Sequence, residues 1–214
     1  MQKMNLRPVI EQIDQTLRTQ YPAGFGAVFV GGAKHGALTV EHFKKAIGLE
    51  LPEIFYQYHK WLMTTDFDDA DVSEQTELGY DEANYAMSLQ AILRTTEEWQ
   101  RLQADDPSRE WKSGFVEIAS WNSCYVMVID TEGEIGEQGN VLYWDFKGGS
   151  TYYIIYQNFE MLLRTKLELL KENLYFPPAS DDAREDFYDG ETRRKIEEIE
   201  RRLNASAIKE VEFF

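Results

Sequence analysis

Tyr125-Val126-Met127-Val128-Ile129-Asp130 is a nearly unbroken apolar run rich in β-branched and aromatic side chains. Successive side chains of a strand point to opposite faces, so apolar residues at consecutive positions predict a strand covered on both sides. Asp130-Thr131-Glu132-Gly133 is turn chemistry, and Gly136, Gly139 and Asn140 keep the chain irregular up to Val141. Residues 141–146 and 151–156 then flank Lys147-Gly148-Gly149-Ser150, a glycine-containing hairpin signal. An antiparallel meander is expected, opened by Phe115, Val116 and Ile118, with Trp144 packed in the core rather than stacking a ligand.

Helical spacing surrounds this sheet. Leu6, Val9, Ile10, Ile13 and Leu17 mark a helix ending before Pro22. The stretch 23–38, with Phe25, Val28, Phe29 and Val30 among glycines, is a short strand or a packed loop. Thr39 caps a helix carrying Val40, Phe43 and Ile47, and Gly48 stands just past its end. Pro52 suits the first turn of the next helix, whose stripe is Ile54, Phe55, Tyr58, Trp61 and Leu62. His42 and His59 fall outside the two stripes and are expected in solvent. Ser88 caps a helix bearing Leu89, Ile92, Leu93, Trp99 and Leu102, and Asn158 caps one bearing Phe159, Leu162, Leu163, Leu167 and Leu170.

Pro177-Pro178 breaks the chain, and 179–190 reads as an acidic linker. A charged helix follows over 191–203, with a thin stripe of Ile196, Ile199 and Leu203 that must pack back on the domain or against a partner. The fold class is α+β: an antiparallel or mixed sheet of about five to six strands, helices on one face, and a C-terminal helical extension. The division expected is a domain at 1–176, a linker at 177–190 and a helix with tail at 191–214, the core ending before Pro177.

The net charge is −16 and localised. Between Met63 and Leu93 there is no Lys or Arg but eight acids, and between Ser113 and Phe146 again none but six. The other 24 acids face 22 bases, so nearly all the imbalance lies in these two segments. Such fields repel phosphate backbones, which counts against nucleic acid as a partner, and they attract a basic protein. No window has the roughly 18 consecutive apolar residues of a membrane span. With Cys124 as the single cysteine, read as a small packed residue, a reducing cytoplasm is the expected location.

Motifs for chemistry fail on inspection. Gly31-Gly32-Ala33-Lys34 lacks the second glycine and Lys-Ser/Thr pair of a phosphate loop, and Gly148-Gly149-Ser150-Thr151-Tyr152 lacks the last glycine of a nucleophile elbow. The acids from Asp66 alternate as in a calcium loop, but Asp71 stands where the sharp turn needs glycine. His35, His42 and His59 show no metal-ligand spacing. No catalytic residue, metal or cofactor is assigned. Residues alone give an acidic α+β binding module.

The order apolar strand, acidic glycine-rich turn, Tyr143-Trp144-Asp145, glycine-containing hairpin, strand and helix resembles the SUKH superfamily. Leu51-Pro52-Glu53-Ile54-Phe55 resembles its leucine-proline-acidic helix start, and residues 85–92 resemble its short strand running into a helix. The likeness spans roughly 38 to 170; the acidic insert after Trp61 departs from it. The superfamily includes fungal Smi/Knr-type cell-wall regulators and many bacterial immunity proteins. The resemblance implies a non-catalytic immunity protein that binds and neutralises a cognate, basic, nuclease-like toxin domain, the alternative being a regulatory adaptor of the cell-wall type. Partner-binding residues expected on the two acidic segments are Asp66, Asp68, Asp69, Asp71, Glu132, Glu134 and Glu137, with Phe67 or Tyr80 as an exposed apolar anchor.

Overall fold

A four-strand meander forms the centre: β1 (Phe115–Trp121), β2 (Tyr125–Asp130), β3 (Val141–Asp145) and β4 (Thr151–Tyr156). A short β5 (Lys209–Val211) adds to β4, giving a five-stranded sheet in the order β1-β2-β3-β4-β5, antiparallel at every pairing. The computed structural model describes residues 7–21, 25, 26, 29, 38–67, 87–121, 125–146, 151–176, 190–207 and 209–211. The expectations for Cys124, Gly31–Gly36, the 147–150 turn and the 179–189 linker fall outside these residues. The described helices are α1 (Pro8–Gln20), α2 (Val40–Ile47), α3 (Glu53–Thr64), α4 (Leu89–Asp105), α5 (Phe159–Lys171) and α6 (Glu191–Asn204).

Local chemistry starts and stops several of these helices as expected. The Thr39, Ser88 and Asn158 side chains accept from the backbone N–H of His42 (3.3 Å), Ala91 (3.1 Å) and Met161 (3.0 Å). Each cap satisfies one donor that a helix start leaves open, at about 1 kcal/mol apiece. Gly48 ends α2 with φ +68°, a conformation that costs a side-chain-bearing residue.

Both faces of the sheet are covered, which is why β2 is apolar at nearly every position. Val116, Met127, Ile129 and Tyr156 join the core shared with α1, α2, α3 and α5. On the other face Val126, Val128, Leu142, Trp144, Tyr152 and Ile154 form a second cluster with Phe115, Trp111 and Ala207. This side is closed by aromatic rings. Trp99 from α4 stacks on Trp111 at 5.6 Å between centroids and meets Trp144 edge-on at 5.1 Å, and Trp144 stacks on its cross-strand neighbour Tyr152 at 5.9 Å. Glu117 is buried beneath them, and its carboxylate accepts the Trp99 indole N–H at 2.5 Å.

One edge of the sheet is β1 and the other is the short β5. β1 has a bulge between Glu117 and Ala119 and packs against α4, whose Thr96 hydroxyl accepts the Glu117 backbone N–H at 3.2 Å. The β4 edge is taken by β5. A bulge, a helix and a short terminal strand each block edge-to-edge association.

Two expectations are corrected. The core does not stop before Pro177: Ile196 and Ile199 of α6 join the main cluster, and Asn204, fully buried, donates to Thr165 Oγ1 on α5 at 3.1 Å. His59 is not solvated; it is 3 % exposed, its ring 4.4 Å from that of Phe55. α3 is packed by both α2 and α5, so its buried surface extends well beyond the stripe that periodicity marks.

Burial of His59 makes stability pH-dependent. Burial first, and the Lys166 cation second, push its pKa down from 6.5 to about 3. Phe55, Tyr58, Leu162 and Met127 also surround that corner, and Lys166 is itself pushed down to about 8 by burial. As pH falls below 6.5 the unfolded chain takes up the proton and the folded chain does not. The stability tied to neutral His59 is therefore whole above about pH 6.5 and drains towards pH 3. By pH 5 the loss is about 2 kcal/mol. Urea unfolding of wild type and His59→Leu at pH 7.5 and 5.0 isolates it, because the titrating groups common to both proteins cancel. Equal pH slopes in the two proteins would refute the buried neutral imidazole.

Candidate functional site

A cleft of about 590 Å³ opens where α1, α3 and α5 begin and the β2–β3 loop passes. Arg7 at the start of α1, Leu51-Pro52-Glu53 at the start of α3 and Asn158-Phe159-Glu160 at the start of α5 meet Thr131, Gln138 and Gly139 of the loop. The floor is apolar, made by Leu51, Ile54, Ile129 and Phe159, all at most 8 % exposed. The rim carries three acids, Glu50, Glu53 and Glu160, against the one base Arg7. Glu53 and Glu160 sit in the first turns of their helices, where a carboxylate offsets the positive end of the helix dipole. Glu53 also accepts from Lys44 at 3.2 Å, and Glu160 from Arg164 at 2.7 Å; both are surface pairs of small energetic weight.

The loop beside the cleft is built around one buried carboxylate. Asp130, fully buried, accepts four backbone N–H groups: Glu132 (3.3 Å), Gly133 (2.8 Å) and Glu134 (3.1 Å) on Oδ1, and Ile135 (2.9 Å) on Oδ2. Asn140 completes the frame, accepting from the Glu137 N–H at 2.8 Å and donating to the Gln157 carbonyl at 2.8 Å. Thr131 Oγ1 donates to the Gly114 carbonyl at 2.7 Å. A ten-residue acidic turn is thereby held in one shape, with Glu132, Glu134 and Glu137 on its exposed side.

The sequence-derived site residues do not converge. Glu137 stands next to cleft-lining Gln138. Glu134 and Glu132 fold back on the turn before β1, accepting from the Gly114 N–H at 2.9 Å and the Ser113 hydroxyl at 3.4 Å. Asp66 lies elsewhere, on Arg18 near the end of α1 opposite Arg7, roughly 16 Å away by helix rise. Arg18 bridges Asp66 (2.5 Å) and Asp14 (2.8 Å), and Asp14 also accepts the Trp61 indole N–H at 2.9 Å. Phe67 is corrected: it is 6 % exposed, not an exposed anchor. Its ring lies under the Arg18 guanidinium at 4.4 Å and so close over Gly26 that a Cβ there would collide with it. Asp68, Asp69, Asp71 and Tyr80 are outside the described residues.

The cleft itself escaped sequence reasoning. Its one legible mark was Leu51-Pro52-Glu53, a helix start whose Pro52 cap makes no side-chain hydrogen bond. Among the described residues, no group of three or more His, Cys, Asp or Glu is placed to hold a metal ion. None of the described helices is long and apolar enough to cross a membrane. The site's geometry, an apolar floor, a charged rim and a rigid acidic loop, is that of a surface for binding.

No curated protein matches the chain. The model of the SMI1 / KNR4 family (SUKH-1) matches residues 37–165, which takes in α2, α3, α4, the meander, the rigid loop and the first half of α5. A sheet in strand order, a helix opened by Leu51-Pro52 and the aromatic layer around Trp144 are thus parts of one scaffold, and the chain belongs to the SMI1 / KNR4 (SUKH-1) family.

Proposed function

We propose that this chain is a non-catalytic immunity protein that binds and neutralises a cognate bacterial toxin domain of basic, nuclease-like character. The observation that carries the reading is the β2–β3 loop. Four hydrogen bonds to one buried carboxylate keep three surface glutamates in a fixed array, so a partner's bases meet them without the loop first having to be ordered. The field of a chain at −16 steers such a partner and disfavours acidic ones. The acidic stretch of Asp68, Asp69 and Asp71 adds to that field.

The probe is the C-terminal domain encoded by the reading frame next to this gene, expressed alone and together with this protein. Relief of its toxicity and a purified one-to-one complex are expected. Toxicity unrelieved, with no complex, would reject the reading. A stable complex with a neighbour-encoded domain that harms no cell favours the regulatory adaptor instead.

Charge should act on rate. Replacing Asp68, Asp69 and Asp71 with Asn and Glu137 with Gln is expected to slow association with that domain about ten-fold at low salt, because steering supplies such factors. The salt dependence should flatten as well, since added ions already screen exposed charges beyond a Debye length of about 8 Å at physiological strength. The melting temperature should hardly move. Stopped-flow association at two ionic strengths checks this, and an unchanged rate would clear the acids of a role.

A further inference from the structure

We infer that the cleft between Leu51-Pro52 and Gln138-Gly139 receives an apolar anchor side chain carried on a basic segment of the partner protein; the inference rests on reading this chain as a partner-binding protein.

Size, floor and rim point the same way. At about 590 Å³ the cleft is in the range of pockets that enclose a ligand group, and it is wide enough for a Trp or Leu side chain with its flanking backbone. Leu51, Ile54, Ile129 and Phe159 give that group an apolar floor. The lining carries Glu50, Glu53 and Glu160 against Arg7; Lys44 pairs with Glu53 and Arg164 with Glu160, so Glu50, with Glu137 adjacent along the rigid loop, leaves a small negative excess that a basic segment complements. An acidic segment would oppose that excess.

The division of labour between floor and rim follows. Exposed charges set the rate of encounter, whereas a desolvated apolar group in a pocket slows release. Phe67, one of the two anchors expected from sequence, is buried within this chain. The cleft offers a socket for an anchor supplied by the partner, and the rigid loop forms one wall of it.

Three synthetic peptides test the idea on the full-length, 15N-labelled protein: acetyl-Lys-Arg-Trp-Leu-Lys-Arg-amide, the charge-only acetyl-Lys-Arg-Ser-Gly-Lys-Arg-amide, and the acidic acetyl-Glu-Glu-Trp-Leu-Glu-Glu-amide. The first should shift the amides of Leu51, Ile54, Gln138, Gly139 and Phe159, and bind about ten-fold more tightly than either control. Gln138→Trp, which fills the cleft from an exposed loop position, should abolish those shifts, whereas Arg101→Trp on the exposed face of α4 should not. Glu50→Lys with Glu160→Lys provides a second variant that reverses the rim without filling the floor, and should weaken the first peptide and strengthen the acidic one. Equal binding of the charge-only peptide overturns the anchor, and equal binding of the acidic peptide overturns the charge argument. Shifts elsewhere, or none, overturn the site. If the neighbour-encoded domain binds wild type and Gln138→Trp alike, the cleft inference fails and the immunity reading stands; if it binds neither, the immunity reading fails by itself.

Discussion

A chain ending at Phe176 is expected to lose about 3–6 kcal/mol of stability, from the burial of Ile196 and Ile199 alone. That is a large share of the roughly 5–15 kcal/mol that a domain commands. The helix α6 covers α5 and β4, and its removal bares the apolar surface that Ile196 and Ile199 occupy. Thr165 loses the Asn204 donor, Ala207 leaves the second cluster, and the β4 edge opens as β5 is lost. An open edge beside exposed apolar surface also invites association. Urea unfolding should show a lower midpoint for the truncated chain, and sedimentation should show self-association. Ile196→Ala with Ile199→Ala in the full chain separates packing from edge exposure, and should cost about 4 kcal/mol or more without promoting association. Retention of the full midpoint after truncation would show that the core ends before Pro177 after all.

Trp144→Ala is expected to cost about 3–5 kcal/mol, the usual penalty for truncating a buried aromatic. Trp144 is 2 % exposed and touches Trp99, Trp111, Phe146 and Tyr152, so its removal leaves a void between rings that cannot collapse without unstacking one another. Trp144→Phe should be far milder, at about 1.5 kcal/mol or less. The buried Trp144 indole N–H has no hydrogen-bond partner among the described residues, so phenylalanine removes that donor along with the lost area. Thermal unfolding of both variants, together with partner binding, decides the matter. An unchanged melting temperature for Trp144→Ala with partner binding abolished would make Trp144 a recognition residue and the aromatic layer a surface.

Much of the scaffold was legible because it is local. Capping by Thr39, Ser88 and Asn158 involves a side chain and a backbone N–H three residues away, so the hydroxyl or amide next to an apolar period announces it. Consecutive apolar residues in β2 announced two covered faces, and the turn signals announced the order of β1 to β4, whereas β5 lies in a stretch expected to be tail. Charge segregation was equally visible, since it needs no coordinates.

Tertiary structure decided what depends on distant neighbours. The apolar stripe of α3 placed His59 in solvent, but α5 packs where that expectation put water, and the imidazole is forced neutral. Phe67 sits in an acidic run that masks its fate; burial came from Arg18 and Gly26, about 40 or more positions earlier, which no local pattern can foresee. The thin stripe of α6 left open whether it met this domain or a partner, and only the surfaces of α5 and β4 settled it. The cleft is the clearest case. It exists because the starts of three helices and one turn, spread from Arg7 to Glu160, meet at one end of the fold, and the helix start at Leu51-Pro52-Glu53 marks one border of it without showing what lies opposite.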